Sequence, residues 1–96
     1  MEIERKGNII DVHDSVIKME DSELIKSEIQ AAIAEGSKGV ELVFHDAISF
    51  NSAIIGYLIK LVRVDKVQIH IVAKNYKLHE LLHNLSLTDM LNVTRS

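Results

Sequence analysis

The stretch from Val40 to Val62, VELVFHDAISFNSAIIGYLIKLV, constrains the fold of this chain more than any other. Val40 to Phe44 is a short apolar run suited to a central strand, and the polar loop His45 to Asn51 leads into a markedly apolar helix. A second run follows, in which Val67, Ile69 and Ile71 alternate with Gln68 and His70. Strand, helix and strand joined by short connections predict a right-handed parallel crossover, which puts the loop at a strand's carboxyl end. Open α/β sheets gather their functional sites along that edge. Within the helix Leu58, Leu61 and Val62 read as core, whereas Ile54 and Tyr57 fall nearer the exposed edge, as an apolar partner patch or as secondary core.

The flanking segments extend the same architecture. Met1 to Lys6 and Asn8 to His13 carry short apolar alternations around Gly7-Asn8, a pair able to supply the positive φ of a tight hairpin turn. Asp21 or Ser22 can cap a helix whose Leu24, Ile25, Ile29, Ala32 and Ile33 share one face, with Gly36 placed to end it. A last helix, about Tyr76 to Leu85, carries Leu78, Leu81, Leu82 and Leu85 at helical spacing. No linker or repeat interrupts the chain, and 96 residues at 47% hydrophobic content suffice for a single α/β domain, residues 1–96.

Composition removes several function classes. With no cysteine there is no disulfide framework, thiolate metal site or thiol nucleophile. The start MEIERKGNII lacks the pattern of a secretory signal, and no uncharged apolar run reaches membrane-spanning length, so a cytoplasmic location without membrane insertion is expected. Eleven basic against fourteen acidic residues leave a net charge of −3, without the basic cluster of a nucleic-acid binder. Two tyrosines and two phenylalanines are too few for a base-stacking platform. The expected partner is another protein. No glycine-rich phosphate loop and no spaced Ser/His/carboxylate set occurs, so neither catalysis nor a cofactor is expected; the oligomeric state is open.

Three features could carry chemistry. Ser52 presents a hydroxyl at a helix start, where unpaired N–H groups and the helix dipole tolerate a phosphate; the plain alternative is that it caps the helix. Asp46, in the preceding loop, could orient a hydroxyl or bind a cation, or be solvated there. His79-Glu80-Leu81-Leu82-His83 matches H-E-x-x-H, in which two histidines bind zinc and the glutamate activates water. The longer form of that motif needs glycine and histidine where Ser86 and Asp89 stand, so a solvated helix face flanked by core leucines accounts for it better. His13, His45 and His70 are scattered along other elements and read as ordinary, partly exposed histidines.

Asn51-Ser52-Ala53-Ile54-Ile55-Gly56-Tyr57-Leu58 resembles the signature of the STAS family, the sulphate-transporter and anti-sigma-factor-antagonist domains: Asp-Ser-Ser/Thr-Gly followed by Leu-Gly-Val-Leu. Ser52 and Gly56 match; Asn51 replaces the aspartate, Ala53 the second hydroxyl residue and Ile54 the first glycine. The likeness extends over nearly the whole chain: Asp21 to Glu35 is similar to the first helix, Val67 to Val72 to the strand after the signature helix, and Leu78 to Leu91 to the closing helix and its leucine-rich turn. It implies a mixed β-sheet of four to five strands with three to four packed helices. It further implies a non-enzymatic binding module of anti-sigma-factor-antagonist type, switched by phosphorylation of Ser52. The partners implied are a serine-kinase anti-sigma factor and a PPM-type phosphatase, meeting the domain around Asp46, Asn51, Ser52, Ala53, Ile54 and Tyr57. STAS domains also serve as constitutive subunits of phospholipid-transport ABC systems and signalling assemblies; a small zinc hydrolase using His79, Glu80 and His83 stands third.

Overall fold

The computed structural model describes residues 1–96 as five strands and three helices. A hairpin of β1 (Glu2–Lys6) and β2 (Ile9–His13) is followed by α1 (Met19–Ala34), β3 (Gly39–Phe44), α2 (Ser52–Arg63), β4 (Gln68–Ala73), α3 (Tyr76–Asn84) and β5 (Val93–Arg95). The strands lie in chain order, β1-β2-β3-β4-β5, antiparallel between the first two and parallel thereafter. The architecture is thus α/β with a mixed sheet, and the predicted crossover from β3 through α2 to β4 is present.

A sheet built in one direction by crossovers of one hand keeps all its helices on one face. Burial along the strands follows that rule. Ile10, Val12, Val40, Leu42, Phe44, Ile69, Ile71 and Ala73 point under the helices and are buried, whereas Asp11, His13, Glu41, Gln68, His70 and Val72, of the opposite parity, stay partly or fully exposed. Val43 is the exception, 8% exposed on the uncovered side. Parallel strands are normally covered on both faces. Here the second face is polar enough to stand in water.

Local chemistry sets the element ends. In the Gly7-Asn8 turn only Gly7 has a positive φ, 60°, the pattern of a type II′ turn, so Asn8 does not share that role. The N-cap position of α1 is Lys18, earlier than Asp21 or Ser22: Asp21 stands in the first turn and its carboxylate accepts from the Ile17 and Lys18 N–H groups at 3.3 and 3.0 Å. That start leaves Leu24 43% exposed and turns Ser22 into the core. Gly36, φ 99°, ends α1 as expected, with Ser37 N–H bonded to Ala32 C=O and Gly36 N–H to Ile33 C=O, the two bonds of a Schellman motif. The end of α3 repeats that motif through Ser86, φ 59°, with Leu87 N–H on Leu82 C=O and Ser86 N–H on His83 C=O. Leu85 is consequently the C-cap, 47% exposed, and Leu87 and Leu91 go into the core in its stead. Val67 lies just before β4, and the three-residue β5 completes the sheet beyond the reach of the sequence pattern.

The hairpin is tied to α1 by Arg5, whose guanidinium donates to both Glu35 carboxylate oxygens at 3.1 and 2.8 Å and to Glu28 at 3.1 Å. Glu35 is held below its ordinary carboxylate pKa by its hydrogen bonds to Arg5 and by the charge of that guanidinium.

Candidate functional site

The loop from His45 to Asn51 leaves the carboxyl end of β3, at the centre of the sheet, and delivers the chain to α2. Its path is fixed by apolar anchors. Ala47 is fully buried, and Phe50 turns back so that its ring sits 4.8 Å from that of Phe44. The segment leading into α1 runs alongside: Val16 pairs with Phe50 in an isolated parallel bridge, Val16 N–H bonds Ser49 C=O at 3.2 Å, and Ile48 N–H bonds the Ser15 hydroxyl at 3.1 Å.

Asn51 is the hub. Its Oδ1 accepts from Ile54 N–H at 2.8 Å, which makes Asn51 the N-cap of α2. Its Nδ2 reaches the carbonyls of Ile17 and Lys18, both at 3.2 Å, and the Ser22 hydroxyl at 2.7 Å, with Ser22 Oγ also 3.0 Å from Oδ1. Only an amide supplies an acceptor for the helix and donors for two carbonyls at once. A carboxylate at this position would keep the cap and face the Ile17 and Lys18 oxygens with no proton to offer. Asparagine is therefore what this pairing of helix starts demands.

Because Asn51 caps the helix, Ser52 does not. Ser52 is the first residue of α2 and exposed, and no side-chain hydrogen bond of the Asn51 network involves its hydroxyl. Ala53 beside it is half-buried. Ile54 is fully buried and belongs to the core, so the expectation that it lies near an exposed edge is corrected: the turn of helix fixed by the Asn51 cap points it beneath the sheet. Tyr57, one turn on, is half-buried with its hydroxyl bonded to Gln30 of α1 and the Lys26 ammonium 5.3 Å from its ring centroid. Asp46 sits at the sheet edge with its side chain 63% exposed, 3.4 Å from His13 Nδ1.

Several residues around Ser52 went unrecognised in the sequence. Ile17, Met19 and Ile48 are 67%, 60% and 46% exposed, unusual for such side chains, and Tyr76 is 59% exposed beyond them. Ile48 and Tyr76 border one shallow depression with Leu81. The available signal was VIKME, where apolar residues precede a helix start without fitting its buried stripe. Ser22 left no signal, since nothing in a sequence says that a serine on one helix will meet the cap of another.

His13, His45 and His70, scattered in sequence, all come to the uncovered face of the sheet. The His13 and His45 rings stack with centroids 4.4 Å apart. His45 Nε2 is 2.7 Å from Asp11, and His70 lies between Glu41 at 3.0 Å and the Thr94 hydroxyl at 2.9 Å. His79 and His83 occupy one face of α3, ring centroids 6.4 Å apart, beside Tyr76, Glu80 and Arg95. Arg95 brings a cation to the place where those imidazoles would have to hold one, and nowhere do three His, Asp or Glu side chains converge as a metal-ligand group.

No protein-family model matches the chain, and comparison with curated proteins finds no match. No helix is long and apolar enough to cross a membrane.

Proposed function

We propose that this protein is a non-enzymatic regulatory binding module of the STAS, anti-sigma-factor-antagonist type, acting through the carboxyl edge of its sheet. The observation that carries the reading is the exposure of Ser52 at the first turn of α2, with Asn51 performing the cap and leaving the serine hydroxyl uncommitted. The sequential strand order, with a crossover helix after each parallel strand, suits the resemblance. The partners are then a serine-kinase-fold anti-sigma factor and a PPM-type phosphatase, and the apolar side chains of Ile17, Met19 and Ile48 supply contact area. A phosphate on Ser52 adds about −1.5 to −2 charges beside that area and imposes a desolvation cost on any apolar partner. Ile54 takes no part in that contact.

The test is intact-mass analysis with site mapping of protein isolated from its native host, wild type against Ser52→Ala. A phosphate shift lost in the variant supports the switch, and Ser52→Asp should then release the kinase partner. Absence of modification across growth conditions, or a Ser52→Asp variant that binds as tightly as wild type, refutes it.

One observation favours the runner-up, a constitutive subunit of a phospholipid-transport ABC system or signalling assembly. The position where the family carries a free aspartate holds an amide consumed by internal bonds. Copurification with an ABC ATPase and an unmodified Ser52 would select that reading.

A further inference from the structure

The uncovered sheet face holds three histidines, and their hydrogen-bond arithmetic differs. A neutral imidazole has one N–H and one acceptor nitrogen; the imidazolium has two N–H donors and no acceptor. His70 is satisfied when neutral, because Nδ1 can donate to Glu41 at 3.0 Å while Nε2 accepts from the Thr94 hydroxyl at 2.9 Å. His45 is equally content, with Nε2 donating to Asp11 at 2.7 Å. His13 differs from both. Its Nδ1 faces Asp46 at 3.4 Å and its Nε2 faces Glu2 at 3.8 Å, so both nitrogens look at carboxylates and neither at a donor. A neutral His13 can serve one of the two and turns a lone pair toward the other.

We propose that His13 is a proton-dependent clasp on the functional loop: as the imidazolium it holds Asp46 and Glu2 together, and on losing its proton it releases one of them. The clasp spans three parts of the fold, since Glu2 is on the edge strand β1, His13 on β2 and Asp46 in the loop that leads to Ser52. Its position makes it a regulator of that loop. Asp46 is tethered to the sheet when His13 is charged, and its carboxylate is available at the site mouth when His13 is neutral. The His45 ring, stacked at 4.4 Å and oriented by Asp11, gives the His13 ring a fixed floor.

The other charges facing the clasp are those of its neighbours on the same side. Glu4 lies opposite Asp11 in register and adds a further anion, and Lys74, whose N–H bonds Phe44 C=O beside His45, adds a cation at the far side of the loop. Glu2, Glu4, Asp11 and Asp46 outnumber Lys74, so the imidazolium enters an anionic surround. Side-chain exposures of 35% for His13 and 63% for Asp46 keep the contact in reach of solvent protons and weaken it accordingly. The inference concerns the free protein and does not depend on the proposed partner or on modification of Ser52.

The experiment is a two-dimensional NMR pH titration of the free, full-length protein across the range where histidines exchange protons, following the backbone amides of Asp46 and Ala47 and the three imidazole rings. Wild type should show the Asp46 and Ala47 amides titrating in step with the His13 ring, with amide exchange at Asp46, corrected for its intrinsic pH dependence, about two- to fivefold slower on the acid side, as suits a partly exposed ion pair. H13Q should abolish that titration. H70Q, which removes the histidine already satisfied when neutral, should leave it intact. Asp46 amides that stay still while the His13 ring titrates, or that follow the same curve in a folded H13Q protein, would overturn the clasp. So would loss of the Asp46 response in H70Q alone.

Discussion

Replacing Asn51 by aspartate restores the residue that the family signature carries, and the structure says the change is costly. The variant keeps the acceptor that caps Ile54 N–H at 2.8 Å and can still accept from the Ser22 hydroxyl. It loses the two bonds donated to the Ile17 and Lys18 carbonyls, both 3.2 Å, and aims a carboxylate oxygen at those two oxygens. Each lost bond is worth about 1 kcal/mol net, and the unpaired acceptors add about as much again. The negative charge at the start of α2 returns about 0.5 kcal/mol through the helix dipole. The expected outcome for Asn51→Asp is a loss of about 2 kcal/mol, or a fall of roughly 10 °C in Tm for a domain of this size. Urea unfolding followed by circular dichroism reads it as a lower midpoint at unchanged slope. The deficit should also shrink as pH falls, because the introduced carboxyl group, once protonated, regains one donor. The folded variant prefers the protonated form, so its penalty is full above the carboxylate range and fades below it. An Asn51→Asp protein as stable as wild type at neutral pH, or one whose deficit grows on acidification, would refute the account of Asn51 as a donor that joins two helix starts.

Other perturbations separate structure from surface. Ser86→Gly relieves the positive φ that closes α3 and should stabilise the domain by about 1 kcal/mol in thermal melts; no gain would mean the serine is held there by contacts of its own. Ile54→Ala opens a cavity in the core and should cost about 2 to 5 kcal/mol, while Ile17→Ser, at an exposed position, should stay within about 0.5 kcal/mol of wild type. Denaturant titrations of the two variants check that contrast, and equal losses would refute the placement of either residue. Because Arg5 lowers the Glu35 pKa, the stabilisation from that pair is present at neutral pH and lost as pH falls through the carboxylate range. Arg5→Ala should therefore flatten the acid limb of the stability-pH curve, and an unchanged limb would show the pair contributes nothing.

Much of the architecture was legible because it rests on local signals. The strand-loop-helix segment, the hairpin at Gly7 and the stop at Gly36 appear where periodicity and turn chemistry put them. Errors came where a neighbour decides. Leu24, Leu85 and Ile54 all sit on sound helical stripes, yet which flank of a stripe is covered depends on the docking of each helix on the sheet, and a shift of one position changes the answer. Three-residue β5 carries too little pattern to be seen without β4 beside it.

The same division runs through the site. Sequence alone determined that a serine would follow an asparagine at the head of an apolar helix, at the carboxyl end of a central strand, because strand, loop and helix are continuous in the chain. Only the tertiary structure decided which of the two would cap. That choice was made by Ser22 and the Ile17 and Lys18 carbonyls, 29 to 34 residues away, which an amide can satisfy and a serine hydroxyl cannot. Tertiary structure likewise brought His13 and His45, on separate strands, into a stack with a carboxylate at each outer edge. Pairing parallel strands sets residues far apart in sequence side by side on one face, a juxtaposition fixed by register and invisible to any window of neighbouring residues.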